Sequence, residues 1–393
     1  MPLFYSYFVP MQANERSKLT RLRLSGLFSF DERGETIELG DINLFVGENG
    51  AGKSNLVGFF RLLSYGFTRP TGNLQGFIQQ EIGGASALLH YGPKYTERLH
   101  FSLEFQTETS RKISGYEAEL VFAAGDRLIV QSETTYYHNS RQYPEPRTEE
   151  LVAQNPTEFE LPAHAANGSA TSRLLLGLLQ RIKVYHFHDT SKSANCKTFT
   201  NVADNNYLRE DAGNIAAFLL RLQEQFPEDY QRIRRAVQSI VINFDDFVLA
   251  PQDRHNSRTL LRWQDRSGMI FGPHQFSDGS LRFICICVAL LQPVEVAPNV
   301  VVIDEPELGL HPRALTAIAE MVHLIAGQQQ VIFTTQSPRL LDEFSIEQVQ
   351  VFRAERKSNG QVASRVLQLK KEDFNEWMKE YTTGELLDNY LAG

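Results

Sequence analysis

The stretch INLFVGENGAGKSNLVGFFRLL (residues 42–63) decides the fold of this 393-residue chain. Within it, GENGAGKS (47–54) fills every fixed position of the pattern G-x-x-x-x-G-K-[ST]. An apolar run precedes the motif and an amphipathic run follows it, which predicts a strand, a glycine-rich turn and a helix. Glycines let the N–H groups of such a turn face an anion, and the helix N-terminus adds positive potential. This context disfavours the alternative of a chance match on a glycine-rich turn.

The motif predicts a site for ATP and Mg²⁺. Lys53 is expected to neutralise the β- and γ-phosphates, and so to serve in catalysis as well as binding, while Ser54 is expected to bind Mg²⁺. The residues predicted to contact ATP are Gly47, Glu48, Asn49, Gly50, Ala51, Gly52, Lys53, Ser54 and Asn55.

An acidic pair follows a second apolar run in VVVIDEPELGLHP (300–312). Parallel sheets place ligand sites at the C-terminal ends of their strands, which is where this run delivers Asp304 and Glu305. Asp304 is predicted to bind Mg²⁺ through water, and Glu305 to orient or deprotonate the attacking water. The alternative is an acidic turn before a helix that begins at Pro312, and the phosphate-loop motif disfavours it.

Patterning elsewhere separates the chain into further regions. LHFSLEF (99–105), YEAELVF (116–122) and RLIVQSETTYY (127–137) alternate with period two, which predicts antiparallel strands. Residues 204–241 are predicted to be helical, with Asp211 as a cap and Pro227 in a first turn. From residue 270, apolar bursts without alternation predict parallel strands covered on both faces.

Composition limits the functional classes. The net charge of −8 provides no global attraction to nucleic acid or membrane. The N-terminal segment lacks a signal-peptide pattern, and no apolar run is long enough for a bilayer span. The three cysteines fit no metal-ligand spacing. We therefore expect a cytoplasmic protein with buried thiols and no membrane partner.

Four segments in this order carry a family resemblance: INLFVGENGAGKSNL, FSDGSLRF (276–283), VVVIDEPELGLHP and VIFTTQSP (331–338). Together they resemble the ABC-type ATPases of the RecF and SMC kind, including the bacterial "predicted ATPase" group. The resemblance implies an α/β P-loop NTPase with an ABC-ATPase core like RecF and SMC heads. An inserted antiparallel β-rich region and a short helical subdomain are expected beside that core.

The expected organisation has five parts. Residues 1–17 form an N-terminal extension, 18–65 the first part of the core, and 66–183 the β-rich insertion. A helical lobe and connection follow at 184–269. Residues 270–393 complete the core.

The resemblance also implies a homodimer that holds each ATP between the phosphate loop of one copy and the signature segment of the other. The signature residues acting in trans are then Ser277, Asp278, Gly279 and Ser280. Gln336 is implied as a catalytic residue, and His311 as a dimer-interface residue. A higher oligomer is a further possibility that the resemblance leaves open.

Two positions depart from the commonest ABC pattern. Asp278 stands where glycine is usual, and its carboxylate would repel a phosphate unless it turns away or caps the helix expected to start near Ser280; we favour the capping role. Gln336 stands where many relatives carry histidine; it can bond the lytic water but cannot titrate near neutrality. We therefore expect slow hydrolysis, with ATP acting mainly as a dimerisation switch.

Three functional hypotheses follow. The first is an ATP-gated ATPase that controls a separate effector protein or engages DNA, in genome maintenance or anti-phage defence. The second is the nucleotide-binding subunit of an ABC transporter, disfavoured by the long insertion and the Ser-Asp-Gly signature. The third is a nuclease, but the segment after FTTQSP is too short for the TOPRIM domain of some relatives, so a nuclease is expected only in a partner chain.

Three weaker signals leave alternatives open. His186 and His188, with Asp189 beside them, have a spacing that can bind zinc, although structural histidines are favoured because no third ligand follows. The basic cluster RIRRA (232–236) could contact DNA phosphates or form a solvated helix face. Gln79 or Gln80 is a candidate for the Mg²⁺-contacting glutamine of ABC enzymes.

Overall fold

The computed structural model describes residues 16–68, 73–110, 112–139, 144–151, 157–251, 257–345, 347–358 and 362–369. The strands are β1 (Ser17–Ser25), β2 (Glu35–Glu38), β3 (Ile42–Val46), β4 (Arg98–Thr107), β5 (Ile113–Ala123), β6 (Arg127–His138), β7 (Arg147–Glu150), β8 (Ile182–Tyr185), β9 (Thr200–Asn201), β10 (Phe244–Val248), β11 (Arg258–Thr259), β12 (Arg262–Asp265), β13 (Ile270–Phe271), β14 (Val300–Asp304), β15 (Gln330–Thr335), β16 (Gln350–Ser358) and β17 (Val362–Leu369).

The α-helices are α1 (Lys53–Thr68), α2 (Leu74–Gly76), α3 (Ala85–Leu88), α4 (Leu161–Ala166), α5 (Ala170–Gln180), α6 (Ile215–Gln225), α7 (Pro227–Ile240), α8 (Asp278–Leu290), α9 (Pro312–Ile325) and α10 (Pro338–Asp342). A π-helical turn spans Phe77–Ile82, and short 3₁₀ turns span Asn195–Lys197 and Pro273–Gln275.

The chain forms two compact units. The first unit comprises Met1–Leu39 and Leu62–Arg181, and the second comprises Gly40–Arg61 and Ile182–Gly393. The chain passes from the second unit to the first within α1.

The first unit is built on one antiparallel sheet with the strand order β2-β1-β4-β5-β6-β7. Alternate residues of β4 are buried, including Phe101, Leu103 and Phe105. A strand points successive side chains to opposite faces, so the period-two pattern buries one face of this sheet. The prediction of antiparallel strands is confirmed, with Leu103 of β4 opposite Tyr116 of β5.

The second unit contains a six-stranded sheet with the order β17-β16-β3-β15-β14-β8. The strands from β16 to β8 run parallel, and only β17 pairs antiparallel. Every residue of β3, β14 and β15 is buried, as expected for a sheet covered on both faces. The predicted parallel α/β core is therefore confirmed.

The register of this sheet brings several strand ends to one edge. Val46 of β3 lies opposite Thr335 of β15, and Asp304 of β14 lies opposite Thr334. On the other side of β14, Ile303 lies opposite Tyr185, the last residue of β8. Because these strands are parallel, the segments that leave them emerge together at the edge where α/β sheets bind ligands.

Helix boundaries confirm one prediction and correct two. Pro227 is the first residue of α7, as predicted. Asp211 does not cap α6, whose N-cap is Asn214; its carboxylate instead accepts a hydrogen bond of 2.8 Å from Gly213 N–H in a tight turn. Helix α8 starts at Asp278 rather than near Ser280, because Ser277 supplies the cap. Among the described residues, no helix combines the length and apolar character needed to cross a membrane.

Candidate nucleotide-binding and hydrolysis site

The phosphate loop has the backbone geometry that an anion cradle requires. Gly50 and Gly52 have φ angles of +80° and +112°, a region that side chains disfavour. A Cβ built on Gly50 meets no atom within 4 Å, so the loop is open there. Glu48, Asn49 and Gly50 are exposed. The Ala51 carbonyl accepts a 2.6 Å hydrogen bond from Ser364 Oγ, which holds the base of the loop.

Lys53 is folded onto its own loop. Its Nζ donates to the carbonyl oxygens of Gly47 at 2.6 Å and Glu48 at 2.9 Å. Lys53 is only 5% exposed, and this burial lowers its pKa. The negative charges of Glu305 and Asp304 oppose that shift, so the acidic pair acts on this ammonium. The sequence-predicted lysine and acidic pair therefore lie close enough for their charges to interact.

Asp304 ends β14, and its side chain is only 10% exposed. One carboxylate oxygen accepts a hydrogen bond from the hydroxyl of Thr334 on the neighbouring strand. Ser54, next to Lys53 at the start of α1, is exposed. A serine hydroxyl and a carboxylate are the oxygen donors that Mg²⁺ prefers, so the chemistry of the predicted metal residues fits that ion.

Glu305 adopts an unusual backbone conformation. Its φ is +46°, in the left-handed region that costs a non-glycine residue roughly 1–2 kcal/mol. Its N–H donates to the Thr334 carbonyl at 2.9 Å, which pins the turn against β15. Strain of this kind is typical of functional sites that need one side chain aimed in a fixed direction.

Gln336 contacts Glu305 directly: its amide Nε2 donates to Glu305 Oε1. The backbone N–H of Gln336 donates to Glu307 Oε1 at 3.1 Å, and the Thr335 hydroxyl donates to the same oxygen at 2.7 Å. Two of the three residues predicted to be catalytic, Glu305 and Gln336, are therefore paired at the edge of the sheet.

Glu307 is a residue of this site that sequence reasoning missed. Burial raises the pKa of Glu307, although the hydrogen bond from Thr335 opposes the shift. Its carboxylate ties the turn after Glu305 to the end of β15, and so fixes the position of Gln336. The only signal in the sequence was a third carboxylate within DEPE.

The signature segment opens helix α8. Ser277 is the N-cap, and its Oγ accepts from Ser280 N–H at 3.1 Å and lies 2.8 Å from Ser280 Oγ. A Cβ on Gly279 would lie 2.7 Å from the Gly309 carbonyl, so only glycine allows this approach. Asp278 is the first helical residue, and the prediction that it caps the helix is wrong. Its carboxylate lies 3.6 Å from Lys197 Nζ instead.

Arg282, also within FSDGSLRF, connects three segments near the site. Its guanidinium donates to the carbonyls of Phe187 at 2.9 Å and His188 at 3.1 Å, and also to the carbonyl of Leu308. A planar guanidinium with five donors suits this task. The signature helix is therefore attached to the segment after β8 and to the turn after the acidic pair.

The remaining candidates occupy varied positions. His311 is the exposed N-cap of α9, where its Nδ1 accepts from Arg313 N–H at 3.3 Å. Gln79 and Gln80 lie in the π-helical turn of the first unit, and Gln79 donates to the Asp126 carbonyl at 2.8 Å.

The basic cluster on α7 is engaged by nearby acids. Arg232 lies 2.9 Å from Asp229, and Arg234 lies 2.9 Å from Asp245. These pairs favour the interpretation of a solvated helix face for this segment.

The parallel sheet, the phosphate loop and the acidic pair define an ABC-type ATPase of the RecF/SMC-like class. A family profile described as "AAA domain, putative AbiEii toxin, Type IV TA system" matches residues 42–342. That match covers most of the chain, and the chain belongs to this family. A search of curated proteins gives no significant match.

Solved structures support the same fold. An Smc head bound to the C-winged helix domain of ScpA is 12% identical with a TM-score of 0.60, covering 91% of this chain and 99% of that one. An Smc head with an extended coiled coil, bound to the C-terminal domain of ScpA derived from Pyrococcus furiosus, is 13% identical with a TM-score of 0.52. There the coverage is 93% of this chain and 99% of that one. At these identities the similarity establishes the fold.

Proposed function

We propose that this chain is an ATP-dependent switch: it binds Mg²⁺ and ATP, dimerises around them, and hydrolyses the nucleotide slowly. The observation that carries the proposal is the hydrogen bond between Gln336 and Glu305. The negative charges of Glu305 and of its neighbour Asp304 also act on Lys53. A general base, a residue that orients it and a phosphate-binding lysine are the parts that hydrolysis requires.

The nucleotide-free contacts suggest how ATP would engage the site. Lys53 would leave the carbonyls of Gly47 and Glu48 and turn to the phosphates, which are stronger partners for an ammonium. Ser54 and Asp304 would hold Mg²⁺, which would supply charge neutralisation at the phosphates. Glu305, oriented by Gln336, would take the proton of the attacking water.

Closure of the site would come from a second copy of the chain. Ser277 and Ser280 place hydroxyl groups at the N-terminus of α8, where the helix dipole favours negative charge. Gly279 packs against the backbone of Gly309, which lies two residues before His311. The signature segment and His311 would therefore contact the second copy of the chain together. Gln336, which cannot titrate near neutrality, is the reason for expecting slow turnover, since Asp278 has Lys197 as a partner for its charge.

The proposed biological role is control of a separate effector protein, in genome maintenance or anti-phage defence. The family description includes a toxin, and both Smc head structures hold a bound ScpA domain. These similarities support a partner protein for this chain. DNA is a possible further partner, although the charge of −8 offers no general attraction to it.

The proposal is tested with a Glu305→Gln variant, which removes the base but keeps the size of the side chain. Its molecular mass is measured by analytical ultracentrifugation with and without ATP and Mg²⁺. We expect a monomer without nucleotide and a stable dimer with it, because hydrolysis no longer opens the assembly. Glu320→Gln, an exposed carboxylate on α9, is the matched control and should retain wild-type turnover.

Two outcomes would count against the mechanism. A mass of Glu305→Gln that does not respond to ATP would contradict nucleotide-dependent dimerisation. Unchanged hydrolysis in that variant would contradict the role of Glu305 as base.

A further inference from the structure

Two histidines follow β8 and lie beside the last residue of β14. His186, His188 and Asp304 each offer one ligand atom, and these three atoms lie within 4.8 Å of one another. Asp189, which is adjacent in sequence, does not belong to this cluster; its carboxylate accepts a hydrogen bond from Ser191 N–H. The third group of the cluster therefore comes from a distant segment, brought there by the pairing of β8 with β14.

One pair in this cluster has a separation close to that of two ligands of a single metal ion. His186 Nδ1 lies 3.8 Å from Asp304 Oδ2, beyond hydrogen-bonding range. Ligands about 2.1 Å from a tetrahedral ion are roughly 3.4 Å apart, so this pair would have to close by a few tenths of an ångström to share the ion. The other oxygen of Asp304 is engaged by Thr334, which leaves Oδ2 for the histidine side.

His188 has the outer hydrogen bond that metal-binding histidines usually make. Its Nε2 lies 3.1 Å from the backbone carbonyl of Asp304, and a carbonyl can only accept. A hydrogen bond of this kind places the hydrogen on Nε2 and the lone pair of the neutral ring on Nδ1. Metal-ligating histidines typically donate their other ring N–H to a carbonyl or carboxylate in this way.

The backbone that carries the histidines is held from outside the cluster. Arg282 donates to the carbonyls of Phe187 and His188, so the backbone position of this segment does not depend on a bound ion. The side chain of His186 is half exposed, which gives an ion from solvent a route to the cluster.

We propose that His186, His188 and Asp304 bind a divalent transition-metal ion such as Zn²⁺ or Co²⁺. Imidazole nitrogens select such ions over Mg²⁺, which prefers oxygen ligands. Because Asp304 is also the expected Mg²⁺ residue, the bound transition metal competes with Mg²⁺ for that carboxylate. The binding itself requires neither ATP nor hydrolysis, so its failure and the failure of the proposed function are distinguishable.

The test measures binding of Co²⁺ and Zn²⁺ to the full-length, metal-free chain without nucleotide. Equilibrium dialysis gives stoichiometry and affinity, and the visible absorption of Co²⁺ reports the ligand field. We expect one equivalent per chain in the wild type. Millimolar Mg²⁺, the weaker competitor for Asp304, should lower the apparent affinity only slightly and should not displace the bound ion. His186→Gln and His188→Gln should each weaken binding at least tenfold and reduce the Co²⁺ absorption.

His274→Gln is the matched control, because His274 is an exposed histidine elsewhere in the second unit. It should bind both ions like the wild type. Thermal melting establishes that each variant is folded, and the glutamine substitutions retain polarity and approximate size. Equal binding by the wild type and by the double variant of His186 and His188 would overturn the proposal, as would displacement of Co²⁺ by Mg²⁺ alone.

Discussion

Lys197 and Asp278 form an ion pair, with Nζ of the lysine 3.6 Å from Oδ1 of the aspartate. The lysine side chain is only 6% exposed and also donates to the Thr190 carbonyl, whereas the aspartate side chain is 69% exposed. The ammonium is thus held in place while the carboxylate stands at the start of the signature helix. This pairing gives the unusual acidic residue of the signature a partner for its charge.

We expect Lys197→Met to weaken ATP-dependent dimerisation, because an unneutralised Asp278 would repel the phosphates of the partner's nucleotide. In a Glu305→Gln background, the dimer dissociation constant should rise about tenfold, equivalent to about 1.4 kcal/mol. Sedimentation equilibrium in ATP and Mg²⁺ provides the measurement.

The double variant with Asp278→Asn separates charge from structure. If repulsion is the cause, removing the carboxylate restores dimerisation, and the effects of the two substitutions are not additive. Lys192→Met, at an exposed lysine nearby, should leave the dimer unchanged. A Lys197→Met defect that persists in the double variant would show that the lysine acts through local folding instead.

The left-handed conformation of Glu305 predicts that glycine at this position gives a more stable protein than alanine. Glycine normally destabilises a protein relative to alanine, but at a φ of +46° alanine retains the strain that glycine relieves. We expect Glu305→Gly to be more stable than Glu305→Ala by up to about 1 kcal/mol. Both variants should lose ATP hydrolysis.

Chemical denaturation of the two variants at one pH measures this difference. The same pair of substitutions at Glu320, an exposed position inside α9, should show the ordinary order with alanine more stable. An alanine advantage at both positions would mean that the turn after β14 relaxes without cost.

Lys183 predicts a dependence of stability on pH. Burial lowers the pKa of this lysine from 10.5 to about 8, and its Nζ lies 5.2 Å from the Tyr207 ring centroid. The folded state therefore binds fewer protons than the unfolded state between those values, and the free energy of unfolding increases as pH rises through that window. Between pH 7 and pH 9 the gain should be about 1 kcal/mol.

Lys183→Met should abolish this gain, since methionine keeps an apolar stem without a charge to desolvate. Urea denaturation of both proteins at pH 7, 8 and 9 tests the expectation. Lys192→Met is again the control and should follow the wild-type curve. Parallel curves for wild type and Lys183→Met would show that the ammonium remains hydrated in the folded protein.

Much of the fold was predictable because its determinants are contiguous. The strand, glycine turn and helix around Lys53 follow from one short segment, and the alternation in β4 and β5 follows from the pleat of a strand. The N-cap residues were less predictable. Aspartate is a favoured N-cap residue, yet Asn214 rather than Asp211 is the N-cap of α6, and Ser277 rather than Asp278 is the N-cap of α8. Cap identity depends on where the first helical turn closes, which packing decides.

The amino-acid sequence by itself determined the phosphate loop, the acidic strand end and the parallel core, because each depends on local spacing and on burial of apolar runs. Only the tertiary structure decided which distant side chains meet. It paired Lys197 with Asp278, Gln336 with Glu305, and the histidines after β8 with Asp304. The physical reason is that strand order and helix docking set these contacts, and neither is encoded in the residues that flank each side chain.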